Sequence, residues 1–215
     1  QLEYAVSHDL MEPLRGVTLS LSAVEDLYGE GQNPEAAIMI ADARRDAKQI
    51  QRFLNEFLQY LRIGNNRKRE LMREVDLNVL VGDVLQSLRI LVQEANAEIV
   101  YSNLPTVYAD TRMVYQIFSN LLSNALKFRR EPCRIEITAD DQLHGFVTIH
   151  IADNGLGIPA SKHDRVFAPF ARVHKQVSGS GIGLSIVKRC VEYHHGSISL
   201  KSEPGNGTTM SLSLP

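Results

Sequence analysis

Hydrophobic residues recur every three or four positions through the first 62 residues, and this spacing predicts two helices. The first stripe runs through Val6, Leu10, Leu14, Val17, Leu21, Val24 and Tyr28. The second runs through Ile40, Ala43, Ala47, Ile50, Leu54, Phe57 and Leu61. Between them the pattern breaks at a polar, glycine-containing stretch, after which Asn33 suits an N-cap and Pro34 a first helical residue. A short turn between two helices predicts an antiparallel helical hairpin.

The apolar stripes of this hairpin are wider than one hairpin can enclose. Phe53 and Leu58 broaden the second stripe further. Pairing with a second copy of the chain would bury both stripes in a dimeric four-helix bundle. We therefore expect a homodimer formed through the hairpin.

The hydrophobic pattern changes beyond residues 63–70, which are polar and aperiodic and predict a linker. We expect one domain at residues 1–64 and a second at residues 71–215. The second mixes both periods: strands are predicted near 72–76, 98–102, 106–109, 133–139, 145–152, 196–202 and 208–214, and helices near 77–95, 111–128 and 181–194. Long antiparallel pairs with helices on one side predict an α+β fold, a two-layer sandwich.

Composition and charge mainly exclude classes of function. The net charge of −2 gives no indication of binding to nucleic acid or to an anionic membrane. Cys133 and Cys190 fit no metal-site spacing, and we interpret them as reduced, buried thiols in a cytoplasmic protein. No apolar run approaches the ~20 residues of a membrane span. Because the chain starts without Met inside a predicted helix, we interpret it as a fragment of a longer protein, which could be membrane-attached elsewhere.

Candidate chemistry is concentrated in the segment Asp153–Pro159, which directly follows the strand near 145–152. Asp153 is a carboxylate at a strand end and can accept a hydrogen bond from the exocyclic amine of a nucleotide base. Gly155 and Gly157 would let the backbone approach such a ligand closely. The same composition also occurs in ordinary turns, so the segment alone does not decide the function.

Two further segments have the composition of a nucleotide site. On the helix near 111–128, Asn120, Asn124 and Lys127 fall on one stripe beside the apolar face, where amide oxygens and an ammonium could serve a metal ion and phosphates, or simply form a solvated flank. Gly179–Leu184 enters a helix, and glycine-rich helix starts bind anions through backbone N–H groups. Between them, Phe167–Phe170 and the polar residues 171–178 are typical of a mobile lid, although the phenylalanines also suit core packing.

His8 lies on the polar side of the first predicted helix, about 165° from the centre of the apolar stripe. Two interpretations remain open. It is either a solvated surface histidine or a nucleophile whose neutral imidazole keeps a free lone pair at neutral pH, with Asp9 as a proton acceptor.

Taken in order, these segments resemble the catalytic core of a two-component sensor histidine kinase of the phytochrome-like subgroup. Ser7–Arg15 resembles the phosphoacceptor box, Asn120–Phe128 the N box, Asp153–Gly157 the first glycine box, Phe167–Phe170 the phenylalanine box, Gly179–Leu184 the second glycine box and Gly205–Met210 the closing segment. The resemblance covers nearly the whole chain. It implies a dimerisation and histidine phosphotransfer hairpin followed by a Bergerat-type ATP-binding domain of the GHKL superfamily.

The resemblance also implies the reaction and the residue roles. His8 would receive the γ-phosphoryl group of ATP with Asp9 as acid–base partner, and would pass it to an aspartate of a response-regulator receiver domain. Asn124 would be the Mg²⁺ ligand. The residues implied to bind the nucleotide are Asn120, Asn124, Lys127, Phe128, Asp153, Gly155, Gly157, Ile158, Phe170, Arg172, Gly179, Gly181, Ile182, Gly183, Leu184 and Thr209.

Two alternatives remain open beside the kinase. An ATPase of the same superfamily would need a glutamate one turn before the metal-binding asparagine, where this chain has Asn120. A degenerate kinase that serves as a dimeric scaffold would keep the motifs but would not catalyse phosphoryl transfer at a useful rate. One departure from the family also matters: Glu12 stands where kinases with strong phosphatase activity towards their response regulators commonly have Thr or Asn, which predicts weak phosphatase activity.

Overall fold

The computed structural model describes residues 14, 16–22, 24, 34–63, 72–101, 103–140, 145–173 and 180–215. The chain divides into two compact units, residues 1–62 and residues 63–215. The predicted linker lies outside the described residues, apart from Ile63.

The first unit is a helical hairpin. Helix α1 is described at residues 14, 16–22 and 24, and helix α2 spans Pro34–Arg62. On α2, Ala47 and Leu58 are buried, whereas Ile50 is 49% exposed. This unit therefore presents apolar surface on α2, as expected of a helix that has a further packing partner.

The second unit contains seven strands among its described residues. Its elements are β1 (Met72–Asp76), α3 (Leu77–Ser87), α4 (Arg89–Glu94), β2 (Glu98–Tyr101), β3 (Thr106–Asp110), α5 (Thr111–Lys127), β4 (Arg134–Ala139), β5 (Val147–Asp153), a 3-10 helix (Ala160–Arg165), α6 (Gly183–Tyr193), β6 (Ile198–Glu203) and β7 (Gly207–Leu214). In the part of the chain that is described, no helix is both long and apolar enough to cross a membrane.

Five of these strands form a mixed sheet in the order β2-β4-β5-β7-β6. The pairs β4–β5, β5–β7 and β6–β7 are antiparallel, as predicted, but β2 and β4 are parallel. Strands β1 and β3 form a separate antiparallel pair. The α+β class predicted from the sequence is confirmed, although its sheet is not purely antiparallel.

Helices α5 and α6 pack against each other, and both contact the large sheet. The apolar face predicted for α5 is buried throughout; it consists of Val114, Ile117, Phe118, Leu121, Leu122 and Ala125. The facing side of the sheet contributes buried residues from β5 and β7, including Ile149, Ile151 and Leu212. This two-layer core fixes α5 over the sheet, so the polar flank of α5 lies at the border of the core.

Two aspartates begin helices in this unit. Asp76 accepts hydrogen bonds from the first backbone N–H groups of α3, and Asp110 does the same for α5. The single helix predicted over 77–95 is instead two helices that meet at Leu88. The Leu88 N–H still bonds the Val84 carbonyl at 3.0 Å, so the hydrophobic period continues through the bend and hides it in the sequence.

Candidate functional site

Asp153 is the last residue of β5 and is half-buried at the border of the core. Its Oδ1 atom accepts backbone N–H groups from Gly155 at 2.8 Å and from Thr208 at 3.2 Å. Among the described residues no hydrogen bond to Oδ2 is found, so this oxygen can accept one from a ligand. Burial raises the pKa of the Asp153 carboxyl above its ordinary value, and the two backbone donors oppose that shift.

The loop after Asp153 contains two glycines at positions where a side chain would have no room. A Cβ on Gly155 would lie 2.5 Å from the Phe128 carbonyl oxygen. Gly157 has φ +69°, and its Cβ would overlap the Glu203 carbonyl oxygen. Both glycines are buried, so the loop is packed between the end of α5 and the β6–β7 turn.

Hydrogen bonds hold this loop on both sides. Asn154 accepts the Arg134 N–H at 2.9 Å and donates to the Pro132 carbonyl at 2.6 Å. Leu156 N–H donates to the Phe128 carbonyl at 2.9 Å. Ile158, a predicted binding residue, donates its N–H to the Ser202 hydroxyl at 2.8 Å. The backbone beside the Asp153 carboxylate is therefore positioned before any ligand arrives.

On β7, Thr208 lies beside Asp153, one residue before Thr209, which is predicted to bind the nucleotide. In the β5–β7 register Thr208 is opposite Asp153 and Thr209 is opposite Ala152, so the side chain of Thr209 points to the other face of the sheet. Thr208 is buried, and its hydroxyl lies 2.9 Å from that of Ser202. Thr208 and Ser202 were not predicted from the sequence, because only the strand register identifies them.

Helix α5 carries the predicted amide and lysine stripe. Asn120 and Asn124 are half-buried, and Lys127 is exposed. The Asn120 Nδ2 donates to the Gln116 carbonyl at 2.9 Å. The side-chain amide of Asn124 makes no hydrogen bond to any described residue, so both its donor and its acceptor are available. Phe128, at the end of α5, contributes its backbone carbonyl to the glycine loop.

The second glycine segment approaches α5 at the start of α6. A Cβ on Gly183 would lie 3.0 Å from the Asn120 Oδ1 atom, so the first residue of α6 lies directly against that side chain. Gly181 has φ +75°, and its Cβ would lie 2.8 Å from the Ala171 carbonyl oxygen. Leu184 is half-buried in the first turn of α6. Close backbone contact therefore joins this segment both to α5 and to the start of the predicted lid.

Ile182 is also predicted to bind the nucleotide, and the structure leaves only its backbone available for that role. Its side chain is fully buried in the core, and its N–H donates to the Ser180 hydroxyl at 3.1 Å. An apolar residue between two glycines could not be told from a ligand contact in the sequence. In the structure the buried Ile182 side chain fixes the second glycine segment to the core.

The start of the predicted lid is described up to residue 173. Phe170 is 51% exposed with φ +66°, and Arg172 is exposed. The positive φ of Phe170 is unusual for a residue with a Cβ. Its backbone lies against Gly181, which has no side chain to obstruct it.

The remaining predicted residues lie outside the described part of the chain. They are His8, Asp9, Glu12, Gly179 and the lid residues 174–178. Within the described part, the site unites three separate segments: Asp153 with its glycine loop, the flank of α5, and the start of α6. A half-buried carboxylate, an unpaired amide and a backbone turn into a helix can together hold a base, a metal ion and phosphates.

Comparison with known proteins agrees with this arrangement. Residues 109–215 match the family described as histidine kinase-, DNA gyrase B- and HSP90-like ATPase. The phytochrome-like protein Cph1 of Synechocystis is 33% identical over 215 residues, covering 99% of this chain and 28% of that protein. The sensor protein kinase WalK of Staphylococcus haemolyticus is 30% identical over 221 residues, covering 98% of this chain and 35% of that protein. This chain is a sensor histidine kinase catalytic core.

A solved structure supports the assignment over the full length of this kinase core. Full-length ShkA in complex with AMPPNP superposes with a TM-score of 0.80 at 27% identity, covering 100% of this chain and 45% of ShkA. The kinase core spans about a third of the length of the curated relatives it matches, at 28% of Cph1 and 35% of WalK. The resemblance stated from the motifs is thereby confirmed.

Proposed function

We propose that this chain transfers the γ-phosphoryl group of ATP to His8 and then to an aspartate on a response-regulator receiver domain. The observation that carries the proposal is the Asp153 carboxylate, in which Oδ1 is held by two backbone N–H groups while Oδ2 can accept from a ligand. An adenine exocyclic amine is a donor that matches this acceptor. The bound AMPPNP of the related ShkA supports an adenine nucleotide as the ligand.

The glycine segments support a site for the rest of the nucleotide. The start of α6 offers backbone N–H groups to phosphates, and Gly181 and Gly183 let this segment lie directly against the start of the lid and the Asn120 side chain. Lys127 is exposed on the same flank of α5 as Asn124 and adds a positive charge. Phe128, Phe170 and Arg172 would border the nucleoside and phosphates from the end of α5 and the start of the lid.

Mg²⁺ fits the residues at this site. The Asn124 amide offers a hard oxygen that no described residue occupies, and Mg²⁺ in proteins takes few protein ligands besides phosphates and water. Asn124 would hold the ion, which when bound offsets charge on the phosphates. In the described residues no cluster of three or more His, Cys, Asp and Glu side chains suits a metal ion.

In the proposed reaction, a nitrogen lone pair of His8 attacks the γ-phosphorus and the bond to the β–γ bridging oxygen breaks, which releases ADP. Asp9 accepts the imidazole proton. The phosphoryl group then passes from the His8 nitrogen to a carboxylate oxygen of the receiver domain, and the ring takes back a proton from Asp9 and is again a neutral imidazole with a free lone pair. Catalysis by the protein is mostly positioning and charge neutralisation. A homodimer formed through the hairpin and a cytoplasmic location complete the proposal.

The test is incubation of the chain with γ-labelled ATP and Mg²⁺. We expect a label that is stable in base and labile in acid, as a phosphoramidate is. His8→Gln removes the acceptor and should carry no label. Asn124→Asp places a negative charge beside the negatively charged phosphates and should lower labelling by at least about tenfold. The matched control is His195→Gln, an exposed histidine outside the site, which should label like the parent.

The outcome that contradicts the proposal is steady release of phosphate with no label on His8. That result would favour an ATPase of the same superfamily. Asn120 speaks against it, because its amide donates to the Gln116 carbonyl and cannot act as a base for water. Nucleotide binding without label or phosphate release would favour the scaffold.

A further inference from the structure

His194 is a buried histidine that the nucleotide site does not use. It caps the C-terminal end of α6 and is only 1% exposed. Its Nε2 atom accepts the backbone N–H of Asp110 at 3.0 Å, and its Nδ1 atom lies 2.7 Å from the Cys190 carbonyl oxygen. Both ring nitrogens are therefore engaged by backbone groups.

These two partners fix the protonation state of the ring. A carbonyl oxygen can only accept, so Nδ1 must carry a hydrogen; a backbone N–H can only donate, so Nε2 must present its lone pair. His194 is therefore the neutral Nδ1–H tautomer. A protonated imidazole would direct a second N–H at the Asp110 N–H and lose this bond.

The bond from Asp110 joins two elements that both reach the nucleotide site. Asp110 ends β3 and caps the N-terminus of α5, while His194 ends α6. At its other end, about 16 Å away, α6 begins with Gly183 against the Asn120 side chain of α5. Helix α6 is thus contacted near both of its ends, by Asn120 of α5 at its start and by Asp110, which caps α5, through His194 at its end.

We propose that His194 is a positioning residue for the nucleotide site, a neutral imidazole latch that holds α6 against the β3–α5 junction and is released by protonation. The binding part of this inference rests on the proposed function, because the start of α6 is the proposed phosphate cradle. The latch itself rests only on the two hydrogen bonds and the burial of the ring.

The surroundings of His194 give the direction of the pH effect. Burial lowers the pKa of His194 below its ordinary value, while its bond to the Cys190 carbonyl and the Asp110 charge oppose the shift. The Asp110 carboxylate is itself occupied by the N–H groups of Arg112 and Met113 and lies 3.5 Å from the Arg112 guanidinium. Among the described residues, the other titratable groups beside the ring are Cys190, Tyr193 and His195, and the His195 charge lowers the pKa of His194 further. Arg189 acts on the neighbouring Cys190 thiol.

The pKa of His194 is lower in the folded chain than its ordinary value of 6.5, which the unfolded chain has. The latch therefore stabilises the fold fully above pH 6.5. Its contribution is lost progressively as the pH falls below 6.5. Nitrogen-15 NMR of the full chain tests the premise directly. We expect a protonated Nδ1 and an unprotonated Nε2 for His194 at pH 7.5; an Nε2–H tautomer or a charged ring would overturn the proposal.

Three substitutions test the latch. His194→Gln can place an amide oxygen near the Nε2 position and accept the Asp110 N–H without titrating, whereas His194→Leu fills space with no acceptor. At pH 7.5 we expect the affinity for AMPPNP to fall at least about fivefold in His194→Leu and to stay within about threefold of the parent in His194→Gln. The control, His195→Gln, changes the exposed neighbouring histidine and should bind like the parent. Equal affinities for the Gln and Leu variants would overturn the positioning role.

Thermal unfolding of the full chain between pH 7.5 and pH 5 keeps the test independent of nucleotide binding. The parent should lose several degrees of Tm more than His194→Gln over this range. Parallel curves for these two proteins would overturn the latch. If the parent binds no AMPPNP but the curves diverge as expected, the proposed function fails and the latch stands.

Discussion

At the scale of single residues, Asp153 shows what a motif can and cannot predict. Its type and its place at a strand end follow from the sequence, as do the glycines after it. The sequence does not show that its two oxygens have different partners. Oδ1 accepts a hydrogen bond from Thr208, which is on a neighbouring strand and 55 residues away along the chain. A shift of one residue in register would have put Thr209 there.

Asp153→Asn should separate ligand binding from stability. An amide oxygen can still accept the Gly155 and Thr208 N–H groups, but the charged acceptor for the base is lost, at a cost of about 1.5–3 kcal/mol in binding free energy. We expect AMPPNP affinity, measured by calorimetry, to fall by roughly one to two powers of ten.

The stability of Asp153→Asn should not fall at pH 7. Since the pKa of Asp153 is raised, the carboxyl group favours the fold most below pH 3.8 and loses that contribution as the pH rises through its folded pKa. The amide has no charge to bury at pH 7. Asp164→Asn, an exposed change on the 3-10 helix, is the control for both measurements. A variant that unfolds more easily while binding normally would contradict this role of Asp153.

At the scale of elements, the amphipathic helix α5 was predictable because its apolar face repeats over more than three turns. The bend at Leu88 and the 3-10 helix at Ala160–Arg165 were not, since the hydrophobic period is continuous across the first and the second is too short to show one. The parallel pairing of β2 with β4 was also not predictable, because the sequence of a short strand does not indicate whether its partner runs parallel or antiparallel.

The glycine loop belongs to this scale, because its glycines determine how close two elements lie. Gly157→Ala would force a Cβ into the Glu203 carbonyl at a positive φ. We expect a loss of about 2–4 kcal/mol in unfolding free energy, measured in urea, with weaker nucleotide binding.

Gly82→Ala is the matched control for that substitution. Gly82 lies within α3, and among the described residues its Cβ would meet only the Tyr101 hydroxyl, at an ordinary 3.7 Å. This variant should gain about 0.5–1 kcal/mol, because alanine suits a helix interior better than glycine. Equal effects of the two substitutions would mean that the close approach at Gly157 is not what the fold requires.

At the scale of the whole molecule, the helical hairpin leaves part of its apolar surface exposed to solvent. Ile38, Met39 and Ile50 on α2 are 63%, 72% and 49% exposed, which is apolar surface that a second copy would bury. The predicted dimeric bundle remains a prediction. Its residues follow from periodicity, but periodicity does not identify the partner that covers them.

Ile50→Lys tests the bundle. A charge at a buried dimer position would forfeit about 1.5–3 kcal/mol of apolar burial in each subunit. We expect the dimer dissociation constant, from sedimentation equilibrium, to rise at least about tenfold. Gln49→Lys adds the same charge at the neighbouring exposed, polar position and should leave it unchanged. A monomeric parent would contradict the prediction outright.

The position of β7 has a consequence for how the second unit is made. This strand follows every other element of the unit along the chain, yet it lies between β5 and β6 in the sheet and supplies the Thr208 N–H to Asp153. On the ribosome, β5 and β6 therefore have no common neighbour until residues 207–214 have left the exit tunnel. A nascent kinase core completes its sheet, and with it the base-recognising carboxylate, in a single late step.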